Sequence, residues 1–185
     1  EVFSDKNRMD SEFYRNVFEK IDCSLEKYGS CAPIGKFFPQ IFTGKTPAKA
    51  EYSESEELEY SIIKVGTLTN IGINWSNVEY VTSEFFNENK KFIVKENDVL
   101  LTSSAHSLEH IGAKVDVVRD IPLKHKKKCL FVGEIMALRG KKEIEIEPYY
   151  IASFLRTELG RIQLQRCTRG ISAHIYDRDI PKYVK

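Results

Sequence analysis

The sequence has no closely spaced cysteine pair, no long apolar run and no excess of charge of one sign. Its four cysteines (Cys23, Cys31, Cys129 and Cys167) lie far apart, without a C-x-x-C pair, which argues against a disulfide scaffold or a zinc knuckle and favours reduced thiols. No stretch approaches the roughly 18 consecutive apolar residues of a membrane-spanning helix, and no charged-then-apolar leader opens the chain. We therefore expect a cytoplasmic protein that does not contact a membrane.

What the chain does contain is an ordinary globular composition over 185 residues, with 42% hydrophobic and 30% charged residues. That length suits one domain, 1–185, with a sizeable core, and the first residue, Glu1, leads us to expect a part of a longer protein. The net charge is only +1, but the charges are segregated. Residues 51–59 are acidic, whereas the basic groups are the run KHKKK at 124–128 and Arg156, Arg161, Arg166 and Arg169.

Apolar residues at helical spacing predict a helix near each end of the chain. The first is expected within 1–30 and the second over 148–167. Pro148 suits the first position of the second helix. Gly160 is expected to weaken the middle of that helix by about 1 kcal/mol relative to alanine.

Short apolar and β-branched runs between these helices predict strands. The polar turn 96–98 separates two extended pieces in FIVKENDVLLTSS, and AKVDVV and CLFVGEIMALRG each read as one strand. Further strands are expected at 40–43, 60–65, 78–81 and 171–176, with a helical turn over 83–89. The resulting fold class is α+β, a mixed twisted β-sheet with flanking helices.

The stretch AHSLEHIG contains H-x-x-E-H, the spelling of an inverted zinc-hydrolase helix. On a helix, His106 and His110 would share one face and could bind a metal, with Glu109 nearby as a general base. The flanking sequence leaves little room for that helix, because VLLTSS precedes it and Gly112 soon follows. We favour a polar connection between two strands and keep a zinc-dependent hydrolase as the alternative function.

A more specific pattern extends over nearly the whole chain. A G-x-T-P step follows the first predicted strand at 44–47, and an aspartate followed by apolar residues and Ser/Thr occupies 98–103. An I-G-x-x strand entry follows at 111–114, and a late helix at 149–166 leads to a G-I-S turn at 170–172. In order and spacing, this set resembles a target recognition domain of the specificity subunit of type I restriction–modification systems. It is equally similar to the C-terminal domain of fused restriction–methyltransferases.

The resemblance implies a non-catalytic module that reads a short sequence of double-stranded DNA. A partner methyltransferase subunit or domain would supply S-adenosylmethionine chemistry on adenine, and in type I systems a motor–nuclease subunit would cut. The domain itself would need no cofactor. In agreement with this division, the sequence has neither an N/D-P-P-Y/F stretch nor a Gly-rich cofactor loop.

Reading DNA requires Lys and Arg for phosphates and polar side chains for base edges, and such residues should lie on loops gathered at one edge of the sheet. The candidates are Lys45, Thr46, Lys49, Lys64, Thr67, Thr69, Asn70, Ser103, Ser104, His106, His110, Arg169, Ser172 and His174. Simpler interpretations stand beside these, since a loop lysine is usually only solvated and Thr46 and Ser172 suit turns or caps. Arg169 also suits a pair with Asp177 or Asp179.

Two further segments have alternative interpretations. The KHKKK run is expected to be a solvated hairpin tip, although phosphate contact is also consistent with its charge. The aromatic stripe Phe13, Tyr14 and Phe18 is expected to pack the first helix into the core. Its alternative is a docking face for the methyltransferase or the rest of the specificity subunit.

Overall fold

Short strands and helices follow one another along the chain in its computed structural model, which describes residues 15–27, 29, 31–53, 59–141, 146–169 and 173–185. The strands are β1 (Gln40–Thr43), β2 (Tyr52–Ser53), β3 (Ser61–Ile63), β4 (Glu79–Val81), β5 (Val99–Thr102), β6 (Ser104–Ala105), β7 (Val115–Val117), β8 (Cys129–Phe131), β9 (Ile135–Arg139), β10 (Thr168–Arg169) and β11 (Ala173–Ile175). The helices are α1 (Asn16–Lys27), α2 (Ser83–Glu88), α3 (Pro148–Arg156), α4 (Glu158–Arg166) and α5 (Ile180–Tyr183). The predicted α+β class is confirmed.

The strands form three sheets instead of the single predicted one. The first sheet has the order β1-β9-β5-β7 and is antiparallel throughout. The second has the order β2-β4-β3-β8 and is antiparallel except for the parallel pair of β3 and β8. A small third sheet joins β10, β11 and β6.

The central strands of the first sheet are buried on both faces. In β5, Val99 and Leu101 face a core shared with α3, α4 and α5, whereas Leu100 faces a second core shared with the second sheet. β9 alternates in the same way between the two cores. Continuous apolar runs such as VLLT and IMAL predict strands of this kind. The result is three layers, in which the first sheet lies between the helices and the second sheet.

A buried ion pair ties the start of β5 to the end of β9. Asp98 accepts hydrogen bonds from Nε and Nη2 of Arg139, each at 2.7 Å, and from the Lys95 amide at 2.8 Å. Arg139 also donates to the Ile93 carbonyl at 2.8 Å. Burial raises the pKa of the Asp98 carboxyl, and the hydrogen bonds from Arg139 oppose that rise. The aspartate of the 98–103 motif is therefore an internal anchor.

The helix predicted over 148–167 is two helices, because the chain turns at Thr157. The backbone there is extended (φ −66°, ψ 160°), and the Thr157 hydroxyl caps α4 by accepting a hydrogen bond from the Gly160 amide at 3.1 Å. A Cβ at Gly160 would lie 2.3 Å from the Phe154 carbonyl oxygen. Glycine is thus required where α4 meets α3, and it is not the weak point of a continuous helix.

α1 confirms the helix predicted near the amino-terminal end. Of its predicted aromatic stripe, Phe13 and Tyr14 lie outside the described residues, and Phe18 is buried. The Arg166 guanidinium lies 5.4 Å from the centre of the Phe18 ring, so the core interpretation is confirmed for this aromatic residue. No helix in the described part of the chain is long and apolar enough to cross a membrane.

Two strand predictions need correction. CLFVGEIMALRG is not one strand, because the chain turns at 132–134 and places β8 and β9 in different sheets. Of the two extended pieces predicted around 96–98, only β5 is a strand. The earlier piece, 92–95, begins at the last residue of the 3-10 turn Lys90–Phe92 and continues as irregular backbone. β8 lies in the second sheet because it pairs with β3, a partner far away in sequence.

The KHKKK run is not a hairpin tip, because it connects β7 of the first sheet to β8 of the second. His125 is its anchor: the residue is 1% exposed, its Nδ1 lies 2.9 Å from Ser61 Oγ, and its ring stacks on Trp75 with 5.8 Å between centres. Burial lowers the pKa of His125, and the positive charge of Lys124 adds to that effect.

Candidate nucleic-acid interface

Loops that follow four strands meet at one edge of the two large sheets. β1 and β5 end beside the start of β9, and β3 ends beside the end of β8. We name this region the Glu134 edge and define it as residues 44–46, 64–70, 103–106 and 132–134. The sequence candidates that the structure brings together there are Lys45, Thr46, Lys64, Thr67, Thr69, Asn70, Ser103, Ser104 and His106.

The G-x-T-P step packs directly against the turn between β8 and β9. The Gly44 amide donates to the Ile135 carbonyl and the Lys45 amide to the Phe131 carbonyl, both at 3.1 Å. A Cβ at Gly44 would lie only 2.0 Å from the Phe131 oxygen, so this close approach of two backbones requires glycine. The Lys45 side chain remains exposed beyond it.

Glu134 connects three of these loops. Its carboxylate oxygen Oε2 accepts a hydrogen bond from the Thr46 hydroxyl at 2.7 Å, and that hydroxyl accepts one from the Gly133 amide at 3.0 Å. The Glu134 carbonyl accepts from the Ser103 amide at 2.9 Å. The Ser103 carbonyl in turn accepts from the Ile175 amide at 2.8 Å, which attaches β11 to the same assembly. Thr46 therefore has the turn-forming role that was its simpler interpretation.

Thr67 and Ser103 lie inside the protein, with 2% and 0% of their surface exposed. The Thr67 hydroxyl accepts from the Lys64 amide at 3.0 Å and donates to the Lys64 carbonyl at 2.7 Å. The Ser103 hydroxyl donates to the Glu134 carbonyl at 3.2 Å. Since buried hydroxyls with internal partners do not reach a base edge, the structure gives both residues a framework role in place of the predicted DNA contact.

Asn70 fixes its loop to the start of β7. Its Nδ2 donates to the Ala113 carbonyl at 3.0 Å, and its Oδ1 accepts from the Val115 amide at 2.9 Å. The Thr69 hydroxyl donates to the Gly72 carbonyl at 2.6 Å and closes the adjoining turn. Thr69 and Asn70, which were predicted to contact DNA, thus define the shape of this loop, and the Asn70 residue is exposed.

Lys64 is partly exposed at the same edge. Its Nζ pairs with Glu79 at 3.0 Å and lies 5.0 Å from the centre of the Tyr52 ring. The hydrogen bond to Glu79 raises the pKa of Lys64, with a smaller contribution from the charge of Glu134. Lys64 is therefore protonated at neutral pH, and part of its charge is compensated within the protein.

The third sheet aligns three more candidates. His174 in β11 lies opposite Arg169 on one side and Ser104 on the other. Residues directly opposite each other in an antiparallel pair project from the same face of a sheet, so these side chains form one row. The alternate residues of β11, Ala173 and Ile175, are buried on the other face.

Arg169 is held in place by a carboxylate. Its Nε and Nη2 each donate to Asp179 at 2.8 Å, which is the pairing that the sequence offered as the simpler interpretation. Its guanidinium lies 5.7 Å from the centre of the Tyr176 ring, and that of Arg178 lies 5.4 Å from the same ring. The exposed Tyr176 also contacts the His174 ring edge-on at 4.9 Å.

The H-x-x-E-H letters do not form the helix that a zinc hydrolase would require. His106 follows β6 directly, and Leu108–His110 is one 3-10 turn. Glu109 and His110 are exposed, and His110 Nε2 lies 3.8 Å from Glu109 Oε1. The described residues contain no group of three or more His, Cys, Asp or Glu side chains placed to bind a metal. His106 and His110 are therefore solvent-facing loop residues.

The remaining candidates differ in exposure. Lys49 is exposed and lies in the 3-10 turn Lys49–Glu51 that leads into β2. Ser172, with the whole G-I-S turn at 170–172, lies outside the described residues. The exposed basic candidates are thus Lys45 and His106 within the Glu134 edge, and Lys49 and His110 in segments that follow parts of it in sequence.

Sequence reasoning missed Glu134 and the pair Tyr176 and Arg178. One signal for Glu134 was available, because G-E is a polar interruption between the apolar runs CLFV and IMAL. Such an interruption indicates a turn, and a turn between two buried strands places its acidic side chain at a sheet edge. The partners of that side chain come from distant parts of the chain, which no local pattern identifies.

Comparison of the sequence with protein-family models and with curated proteins gives no match. Function is therefore inferred from the geometry of the chain itself.

Proposed function

We propose that this chain is a sequence-specific reader of double-stranded DNA, without catalysis of its own. It would direct a partner adenine methyltransferase, alone or with a motor–nuclease subunit, to its target site in the cytoplasm. S-adenosylmethionine would be bound by the partner. The observation that carries the proposal is the Glu134 edge, where loops distant in sequence are fixed to one another and present Lys45, Lys64 and His106 toward solvent.

The physical basis is that one set of residues fixes the loops, whereas a different set is exposed and available to contact DNA. Hydrogen bonds of Thr46, Thr67, Asn70 and Ser103 hold the loops in one shape. Preformed loops lose little conformational entropy on binding. The exposed lysines supply salt-dependent attraction to phosphates, and exposed polar groups between them can reach base edges.

The proposal is tested by titrating the chain with duplex DNA over a range of salt concentrations. We expect binding at low salt that weakens as salt rises. The double variant Lys45→Ala/Lys49→Ala should bind more weakly to every sequence. The slope of log K against log salt should become less negative by roughly 2, because each lysine that no longer neutralises a phosphate changes it by about 1.

The matched control is Lys90→Ala/Lys91→Ala. These lysines are also exposed, but Val94, just after their 3-10 turn, bonds to Cys129 at the opposite end of β8 from Glu134. This control should leave the salt slope unchanged. Absence of duplex binding at low salt, with the partner methyltransferase present, would instead favour a protein-interaction domain. Equal effects of the two double variants would remove the Glu134 edge as the interface.

A further inference from the structure

We propose that the Glu134 carboxylate reads a base and selects cytosine in the duplex bound at the Glu134 edge. The inference rests on the DNA-recognition function proposed above, and it assigns a specificity role to a residue that the sequence did not indicate. Three observations support it: the carboxylate is fixed in position, one of its oxygens is unused, and cations flank it.

Hydrogen bonds to the side chain and to the backbone fix the position of the Glu134 carboxylate. The Thr46 hydroxyl donates to Oε2 at 2.7 Å, and the backbone of Glu134 is fixed because the Ser103 amide donates to its carbonyl at 2.9 Å. The turn itself is closed by the Ile135 amide, which donates to the Val132 carbonyl at 3.1 Å. A base-reading group needs this kind of support, because its position decides which base edge it meets.

The second carboxylate oxygen is available to a ligand. Oε1 of Glu134 has no hydrogen-bond partner among the described residues, whereas Oε2 is occupied by Thr46. Glu134 is partly exposed, and Oε1 is not one of the buried polar atoms that lack a partner. Oε1 is therefore in contact with solvent, and a donor from outside the protein can replace that water.

Neighbouring cations allow a carboxylate to approach DNA. Lys64 directly follows Ile63, whose carbonyl accepts a hydrogen bond from the Val132 amide at 3.1 Å, and Lys45 directly precedes Thr46, which donates to Glu134. The Lys45 side chain is exposed. Phosphate contacts from these lysines offset the repulsion between the carboxylate and the DNA backbone. An unaccompanied glutamate would repel the duplex.

The chemistry of the carboxylate selects the base. An ionised carboxylate only accepts hydrogen bonds. In the major groove, cytosine presents only the N4 amino donor, guanine presents two acceptors, and thymine presents an acceptor and a methyl group. Adenine places an acceptor beside its amino group. The arrangement therefore favours cytosine and disfavours guanine most strongly.

The test begins with selection of bound duplexes from a random-sequence library by the wild-type chain and by Glu134→Gln. Glutamine keeps an oxygen that can accept from Thr46, but it replaces Oε1 by an NH2 group that donates and cannot accept from cytosine N4. We expect one cytosine position in the wild-type motif that loses or changes its preference in the variant. Replacing that C·G pair should weaken wild-type binding about ten-fold or more and should affect Glu134→Gln much less. Glu84→Gln, which removes an exposed carboxylate on α2, is the charge-matched control and should select the wild-type motif.

A second measurement uses only the wild-type protein. Replacing the selected cytosine by pyrimidin-2-one removes the amino group and keeps the ring, and this duplex should also bind about ten-fold or more weakly. The inference is overturned if the wild-type chain selects a motif without cytosine, or if Glu134→Gln selects the same motif with undiminished discrimination. In those outcomes the duplex is still bound and the proposed function stands. If the wild-type chain binds no duplex, the proposed function itself fails.

Discussion

Breaking the buried pair between Asp98 and Arg139 should destabilise the fold strongly. Asp98 is 1% exposed and the Arg139 side chain 12%. Asp98→Ala therefore leaves a guanidinium in the interior whose remaining hydrogen-bond acceptor among the described residues is the Ile93 carbonyl. Removing one member of such a pair costs about 3–5 kcal/mol, a large part of the roughly 5–15 kcal/mol that stabilises a typical domain. At about 2–4 °C per kcal/mol for this chain length, Tm should fall by about 6–20 °C.

The measurement is urea and thermal unfolding, followed by circular dichroism and by the fluorescence of the single tryptophan. Because desolvation opposes the pairing energy in a buried ion pair, the double variant Asp98→Ala/Arg139→Met should be less destabilised than the sum of the single variants. We expect a coupling of at least about 1 kcal/mol. Two results would refute the assignment of Asp98 as an internal anchor. One is a decrease of less than about 0.5 kcal/mol in the free energy of unfolding of Asp98→Ala, and the other is a double variant whose destabilisation equals the sum of the single variants.

The other predictions concern three positions inside the fold. Burial lowers the pKa of His125 below the ordinary value of 6.5, so the unfolded state binds more protons than the folded state and the free energy of unfolding should fall as pH drops below about 6.5. The measurement is the urea midpoint from pH 5 to 8, and His125→Gln should make its decline toward low pH smaller. Burial raises the pKa of Cys129 to about 12, so a thiol reagent at pH 8 should label the exposed Cys23 rapidly and Cys129 only after unfolding. Gly160→Ala should lower the free energy of unfolding in urea by about 1–3 kcal/mol, because the added Cβ would overlap the Phe154 carbonyl. An increase of about 1 kcal/mol, as helix propensity alone predicts, would show that the overlap is relieved at little cost.

Local patterns in the sequence predicted many elements but not their pairing. β1, β3, β4, β7 and α2 lie where apolar alternation and turn residues place them, since those signals act within a few residues. The assignment of β8 and β9 to different sheets depends on partners elsewhere in the chain. The break at Thr157 was missed because α3 and α4 continue one apolar periodicity, and only their packing on each other requires the turn.

The candidate site was predictable as a set of loops but not as a set of roles. Polar residues that follow buried strands were expected at one edge. Nine of the fourteen candidates lie in the Glu134 edge, whereas Lys49, His110, Arg169 and His174 lie in other segments. The sequence, however, does not distinguish a polar loop residue whose side chain contacts solvent from one whose side chain is bonded inside the fold. Ser103 and Lys45 are both polar loop residues in the sequence, yet the first is buried and bonded to the Glu134 carbonyl, whereas the second is exposed. Long-range hydrogen bonds make that distinction.

This distinction limits what the family-like motifs can specify. Gly44 and Thr46 of the G-x-T-P step and Asp98 and Ser103 of the later motif all have partners within the protein. In this chain these residues hold the scaffold together: Gly44 through a close approach, Thr46 through a hydrogen bond at the surface, and the buried Asp98 and Ser103 through internal hydrogen bonds. Under the proposed function, affinity for any duplex would come from exposed cations such as Lys45, and sequence preference would come from groups that the scaffold does not use, such as Oε1 of Glu134. Substituting groups that the scaffold does not use should change which duplex is bound and leave the free energy of unfolding unchanged. Substituting the motif residues should lower the free energy of unfolding and leave the duplex preference unchanged.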